Sequence, residues 1–164
     1  MESSKEIMDR AEYLFFTYNG NHYYMANDGV YEEYKSYNIP KEQESIWLTE
    51  INSSAIRNLS DSSDIKIDFT KACSSVRKTK NVSDIDCLFD FLFSEQVSNQ
   101  PENVRRYVYE TFLEMLIYLD DTVSAEKYKN TLNSLFIELK NSSADAENIR
   151  RIEYILNNSF KELG

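Results

Sequence analysis

From residue 84 onward, apolar positions recur at spacings of three and four, the period of helices that bury one side. Ile85, Leu88, Phe89, Leu92 and Phe93 make the first stripe, and Val104, Val108, Phe112, Met115 and Leu119 the second. Tyr128, Leu132, Leu135 and Leu139 make the third, and Ile149, Ile152, Leu156, Phe160 and Leu163 the fourth. Start signals precede each stripe. Ser83 with Asp86 three residues on resembles a capping box, Pro101 suits a first helical turn, and Ser124 and Ser143 stand before the last two. Connections of about four to seven residues predict antiparallel neighbours. Residues 84–164 therefore read as a four-helix antiparallel bundle or a HEAT-like stack, although no residue period establishes a true repeat.

The first sixty residues follow a different pattern. Ser3 or Ser4 caps a short helix with Ile7, Met8 and Ala11 on one side. Tyr13-Leu14-Phe15-Phe16-Thr17-Tyr18 is then aromatic and branched, Asn19-Gly20 is a strong two-residue turn signal, and Asn21-His22-Tyr23-Tyr24-Met25 resumes the aromatic pattern. A β-hairpin over 13–26 is the expectation, closed by Asn27-Asp28-Gly29. Residues 30–37 fit either a third strand by alternation or a short helix through Tyr31, Tyr34 and Asn38. The helix is preferred, with Asp28 as its cap and Glu32 and Glu33 in its first turn. Pro40 opens another helix through Asn52, with Ile46, Trp47 and Ile51 on its buried side.

Between these regions the pattern breaks down. Ser-Ser pairs at 53–54, 62–63 and 74–75 punctuate short apolar groups, and Ile65-Lys66-Ile67-Asp68-Phe69 alternates like a strand while 68–76 fits a helix equally. The expected organisation is a hairpin-plus-helix lobe at 1–60, a linker-like segment at 61–83 and a helical bundle at 84–164. The fold class is α+β, mostly α.

Composition supports a largely helical chain, since 164 residues hold only three glycines and two prolines. No run of eighteen apolar residues occurs, and the opening Met1-Glu2-Ser3-Ser4-Lys5-Glu6 lacks the basic start and apolar core of a leader. A cytoplasmic location with no membrane contact is expected, with Cys73 and Cys87 as free thiols. The net charge of -10 disfavours direct nucleic-acid binding and favours encounter with basic surfaces. Residues 1–60 carry ten acids against five bases, the steepest imbalance in the chain.

Catalytic patterns are sparse. His22 is the single imidazole, and it adjoins Tyr23 and Tyr24 on an expected strand. Asp84, Asp86 and Asp90 offer carboxylates for magnesium, but an acidic helix start explains them better. Asp28 with Glu33 and Lys35 echoes a nuclease-type arrangement that requires a strand, and the helical reading breaks it. Gly-rich phosphate loops and nucleophile elbows are absent from the sequence. The basic island Lys71, Arg77, Lys78 and Lys80 reads as a solvated loop face.

Tyrosine density is the most informative feature. Seven of twelve tyrosines fall between Tyr13 and Tyr37, interleaved with Asp28, Glu32 and Glu33. Rings with polar tips are favoured at protein interfaces, and the carboxylates add attraction toward a basic partner. The expected function is a non-enzymatic protein-binding protein that uses no cofactor or metal. An inhibitor or immunity protein of a basic nucleic-acid enzyme fits best, of the toxin-neutralising or anti-CRISPR-like kind. Its contact residues are Tyr23, Tyr24, Asp28, Tyr31, Glu32, Glu33 and Tyr34. A helical scaffold or regulatory subunit is the alternative, and a carboxylate-metal enzyme a more distant one.

Overall fold

The computed structural model describes residues 3–119 and 125–163. It is a helical protein, with no strand among the described residues. Its contacts divide into two units, Met1–Ser54 and Ala55–Gly164.

The first unit holds α1 (Ser4–Thr17), α2 (His22–Asn27), α3 (Tyr31–Ser36) and most of α4 (Lys41–Arg57). Ser3 caps α1 by accepting from the Glu6 N–H, while the Glu6 carboxylate accepts from the Ser3 N–H, a reciprocal capping box. The expected hairpin over 13–26 is not present. Tyr13 to Thr17 complete α1, and His22 to Asn27 form α2.

The Asn19-Gly20 signal itself is genuine, because both residues have positive φ, 51° and 73°. That pair of conformations serves a type I′ hairpin turn, and it serves equally well to terminate a helix. Here the Gly20 N–H donates to the Phe15 carbonyl at 2.8 Å and the Asn19 N–H to the Phe16 carbonyl at 3.2 Å. This is the Schellman pattern. Asn21 then caps α2 through the Tyr24 N–H.

The same device ends α2. Gly29 has a φ of 77°, its N–H reaches the Ala26 carbonyl, and the Val30 N–H reaches Met25. Asp28 is thus the carboxy-terminal cap of α2 and not the cap of α3, which begins after Val30 without a side-chain cap. Residues 31–36 are helical, with Glu32 and Glu33 in the first turn. Asn38 repeats the left-handed conformation after α3. Three tight turns fold four helices onto one aromatic core of Ala11, Leu14, Phe15, Met25, Tyr34 and Trp47. Ile46, expected in that core, is 62% exposed, while Trp47 and Ile51 face inward.

Residues 61–83, linker-like in sequence, carry α5 (Ile65–Thr79), which buries Phe69, Ala72, Cys73 and Val76. Asp64 caps it, a signal hidden among the surrounding serines. α6 (Val82–Phe91), α7 (Glu95–Ser98), α8 (Glu102–Tyr118), α9 (Glu126–Ser142) and α10 (Ala146–Asn157) follow. Asn81 caps α6 in place of the expected Ser83, and Asp145 caps α10, with Ser143 closing α9 instead. Ser124 lies outside the described residues.

Side-chain pairs fix the helix directions. Thr70 and Lys66 meet Tyr107 while Arg77 meets Tyr118, so α5 and α8 run parallel. The Glu102 carboxylate accepts from the Ala144 and Asp145 N–H groups and Glu110 pairs with Arg151, so α10 also runs parallel to α8. Tyr109–Phe136 and Phe112–Tyr128 contacts set α9 antiparallel to α8, and Phe69–Phe91 sets α6 antiparallel to α5. One continuous core runs through this unit, with Phe112 and Leu132 fully enclosed and Phe89 and Leu156 packed at its edge.

Candidate functional site

The seven residues singled out by sequence all lie on α2, α3 and the turn between them, but the structure sorts them into two groups. Tyr34 and Glu33 are committed inside the unit. Tyr34 is 4% exposed, its ring 6.2 Å from Phe15, and its hydroxyl donates to Glu44 at 2.7 Å. Burial first, and the Glu44 carboxylate second, push the Tyr34 phenol well above its ordinary range. A hydrogen bond to a charged acceptor at such a site contributes about 1.5–3 kcal/mol.

Glu33 receives a forked pair from Arg10, Nε at 2.7 Å and a terminal nitrogen at 3.1 Å, and the Tyr37 hydroxyl donates to it at 2.6 Å. These hydrogen bonds, Arg10 first and Tyr37 second, hold its carboxyl down to about 2. Its charge is therefore largely answered within the unit. Sequence inspection missed this because Arg10 stands twenty-three residues away on α1.

The second group faces outward. Tyr23 is 69% exposed and Tyr24 57%, their rings edge to face at 5.8 Å. Consecutive helical residues point in directions about a quarter-turn apart, so the pair spreads over a broad strip of α2. Glu32 is exposed at the start of α3. Asp28 is exposed as well, although it accepts from the Tyr18 hydroxyl at 2.9 Å, a contact that raises the Tyr18 phenol. Tyr31 is half-buried and packs 5.3 Å from the His22 ring. Of the seven, Tyr23, Tyr24, Asp28 and Glu32 thus present exposed side chains, with Tyr31 at the edge.

His22 opens α2 and does not lie on a strand. Its Nε2 lies 3.1 Å from the same Glu44 oxygen that accepts from Tyr34, and its ring packs on Tyr31 and Tyr34. Glu44 thereby ties α2, α3 and α4 together. Glu33 and Lys35 sit two apart on a helix, which places them on different sides and dissolves the nuclease-like pattern. Among the described residues no group of three or more His, Cys, Asp or Glu is placed to hold a metal ion. Asp86 in particular is engaged by Lys127 at 2.8 Å and Tyr128 at 2.7 Å, which lower its carboxyl.

The chain matches no family model, no curated protein and no solved structure.

Two further surfaces stand out, one on α1 that the sequence did not suggest and one on α5 that it placed in a loop. On α1, Asp9, Glu12, Tyr13 and Phe16 line an open depression of about 330 Å³, with Tyr13 61% exposed. On α5, Lys66 joins the basic island of Lys71, Arg77, Lys78 and Lys80, which lies on a helix and its cap and not in a loop. The Lys66 ammonium sits 4.6 Å over the Tyr107 ring and the Arg77 guanidinium 5.2 Å over Tyr118. Helical periodicity over 66–78 was the available signal, and the Ser-Ser pair at 74–75 obscured it. No helix among the described residues is long and apolar enough to cross a membrane.

Proposed function

We propose that this is a non-enzymatic protein-binding protein whose α2–α3 surface contacts a basic surface on another protein in the cytoplasm. The observation that carries the reading is the exposed Tyr23–Tyr24 pair beside Asp28 and Glu32. Two adjacent large rings stay mostly in water, packed edge to face on each other and outside the unit's aromatic core. Tyrosine loses few rotors on binding and supplies area and a hydroxyl together, and the neighbouring carboxylates steer a basic target into contact. Residues 1–54 hold ten acidic against four basic side chains, so this attraction acts over the whole unit. In its finer form the reading is an inhibitor or immunity protein that covers the basic substrate surface of a nucleic-acid enzyme. The test is the association rate with the captured partner as ionic strength rises. Steering requires a steep fall, and a rate indifferent to salt overturns this reading.

A second reading has its own support. Tyr118 on α8 and Tyr154 on α10 are exposed, 63% and 54%, and each has an arginine over its ring, the ring-and-cation pairing enriched at protein interfaces. Loss of binding through Tyr118→Ala and Tyr154→Ala, with Tyr23→Ala neutral, favours that scaffold reading.

A further inference from the structure

Among the described residues the exposed tyrosines are Tyr13, Tyr23, Tyr24, Tyr118 and Tyr154. Three of them carry a cation of this chain over the ring, and each time it is an arginine. Arg10 lies 5.5 Å from the Tyr13 ring centre, Arg77 5.2 Å from Tyr118 and Arg151 5.3 Å from Tyr154. Lysines lie over more enclosed rings, Lys66 over Tyr107 and Lys127 over Tyr128. Tyr23 and Tyr24 differ from the other exposed rings, since no cation among the described residues covers either one.

Arg10 shows how this chain completes such a ring. Its guanidinium covers Tyr13 and also forks onto Glu33, whose Oε2 accepts from the Tyr37 hydroxyl as well. Tyr24 has matching neighbours. Asp28 follows it by four residues, and the Asp28 N–H donates to the Tyr24 carbonyl at 3.1 Å. The two side chains therefore share one side of α2, about 5–6 Å apart at Cβ. The Asp28 Oδ2 accepts from the Tyr18 hydroxyl, just as Glu33 accepts from Tyr37. Ring, carboxylate and hydroxyl are thus grouped as they are around Arg10, but no cation among the described residues of this chain reaches them.

We propose that the Tyr24–Asp28 pair is a seat for one arginine side chain of the partner protein. The assignment deepens the reading of the α2–α3 surface as a contact for a basic protein, and it rests on that reading. The planar guanidinium stacks on the Tyr24 face while its N–H groups fork onto the Asp28 carboxylate. Tyr23, edge to face with Tyr24, adds apolar area for the arginine stem. A lysine ammonium offers neither the flat face nor the fork, so arginine is favoured at equal charge. A second copy of this chain is a poor donor, because two bodies of net charge -10 repel each other.

Amide NMR titration of the full chain tests this with two capped Gly/Ser peptides, one carrying arginines and the other lysines at the same positions. The expected result is saturable shifts centred on Tyr23, Tyr24 and Asp28, with the arginine peptide bound about 10-fold more tightly. Tyr24→Ala and Asp28→Asn should each abolish that preference while the remaining spectrum stays that of the folded wild type. Equal affinity of the two peptides at these residues overturns the arginine seat and leaves the basic-partner reading standing. A preference for arginine that survives both substitutions also overturns the seat. Shifts centred elsewhere, or none with either peptide, overturn the seat and the α2–α3 reading together.

Discussion

The Gly20 N–H donates to the Phe15 carbonyl, and a Cβ placed on Gly20 would come within 2.8 Å of the Phe15 ring. The turn that ends α1 is therefore closed by the residue that fills the core beneath it. Gly29 has nearly the same backbone conformation, but a Cβ there meets nothing within 4 Å. Gly20→Ala should carry the left-handed penalty, about 1–2 kcal/mol, plus displacement of a buried ring. Gly29→Ala should carry the first cost alone. Urea unfolding of the two variants checks the difference, and equal midpoints would deny the contact.

Phe112 is fully enclosed between α6, α8 and α9, where its ring meets Phe89 and Tyr128. Phe112→Ala should cost about 3–5 kcal/mol. Phe93→Ala removes a half-exposed ring that meets Phe89 edge to face at 5.5 Å, and should cost less, about 0.5–1.5 kcal/mol.

Glu33 sets a pH dependence. Its folded carboxyl lies at about 2, below the ordinary glutamate range, so the folded state binds fewer protons there than the unfolded chain. The stability it adds is complete above the ordinary glutamate range and is lost as pH falls toward about 2. Glu33→Gln should lower the thermal midpoint at neutral pH and converge on wild type at the acid end. Because the pair is partly exposed, added salt should shrink the difference.

Tyr34 separates fold from contact. Tyr34→Phe should lose the bond to Glu44 and destabilise the first unit, and Tyr34→Ala should do so by more, with the effect visible in unfolding before any partner is present. Tyr23→Ala and Tyr24→Ala should leave the unfolding midpoint unchanged.

The helical stripes from residue 84 were legible because each carries four or five apolar positions at spacings of three and four, so one ambiguous residue cannot shift the period. The amino-terminal unit was harder for a definite physical reason. Its helices are short, α2 and α3 having six residues each, and its aromatic runs satisfy strand propensity as well as a crowded helical core. Asn19-Gly20 correctly announced two left-handed residues, but that conformation ends a helix as readily as it closes a hairpin. α5 was hidden by serines that favour caps and turns, although Cys73 and Ser75 are buried in its middle. Of the seven residues singled out by sequence, Tyr23, Tyr24 and Glu32 are exposed as helix geometry allows, whereas the withdrawal of Glu33 and Tyr34 depends on Arg10 and Glu44 in other helices.

If the α2 tyrosines serve a partner and not the fold, their loss should leave folding intact and shorten the life of the complex. Surface plasmon resonance with a basic partner protein compares dissociation of wild type and the Tyr23→Ala/Tyr24→Ala variant. The variant should unfold at the wild-type midpoint while its complex dissociates roughly 10- to 100-fold faster. Glu147→Lys/Glu153→Lys on α10 should dissociate at the wild-type rate. Normal binding by the tyrosine variant, with loss of binding in the α10 variant, would place the partner surface on the second unit instead.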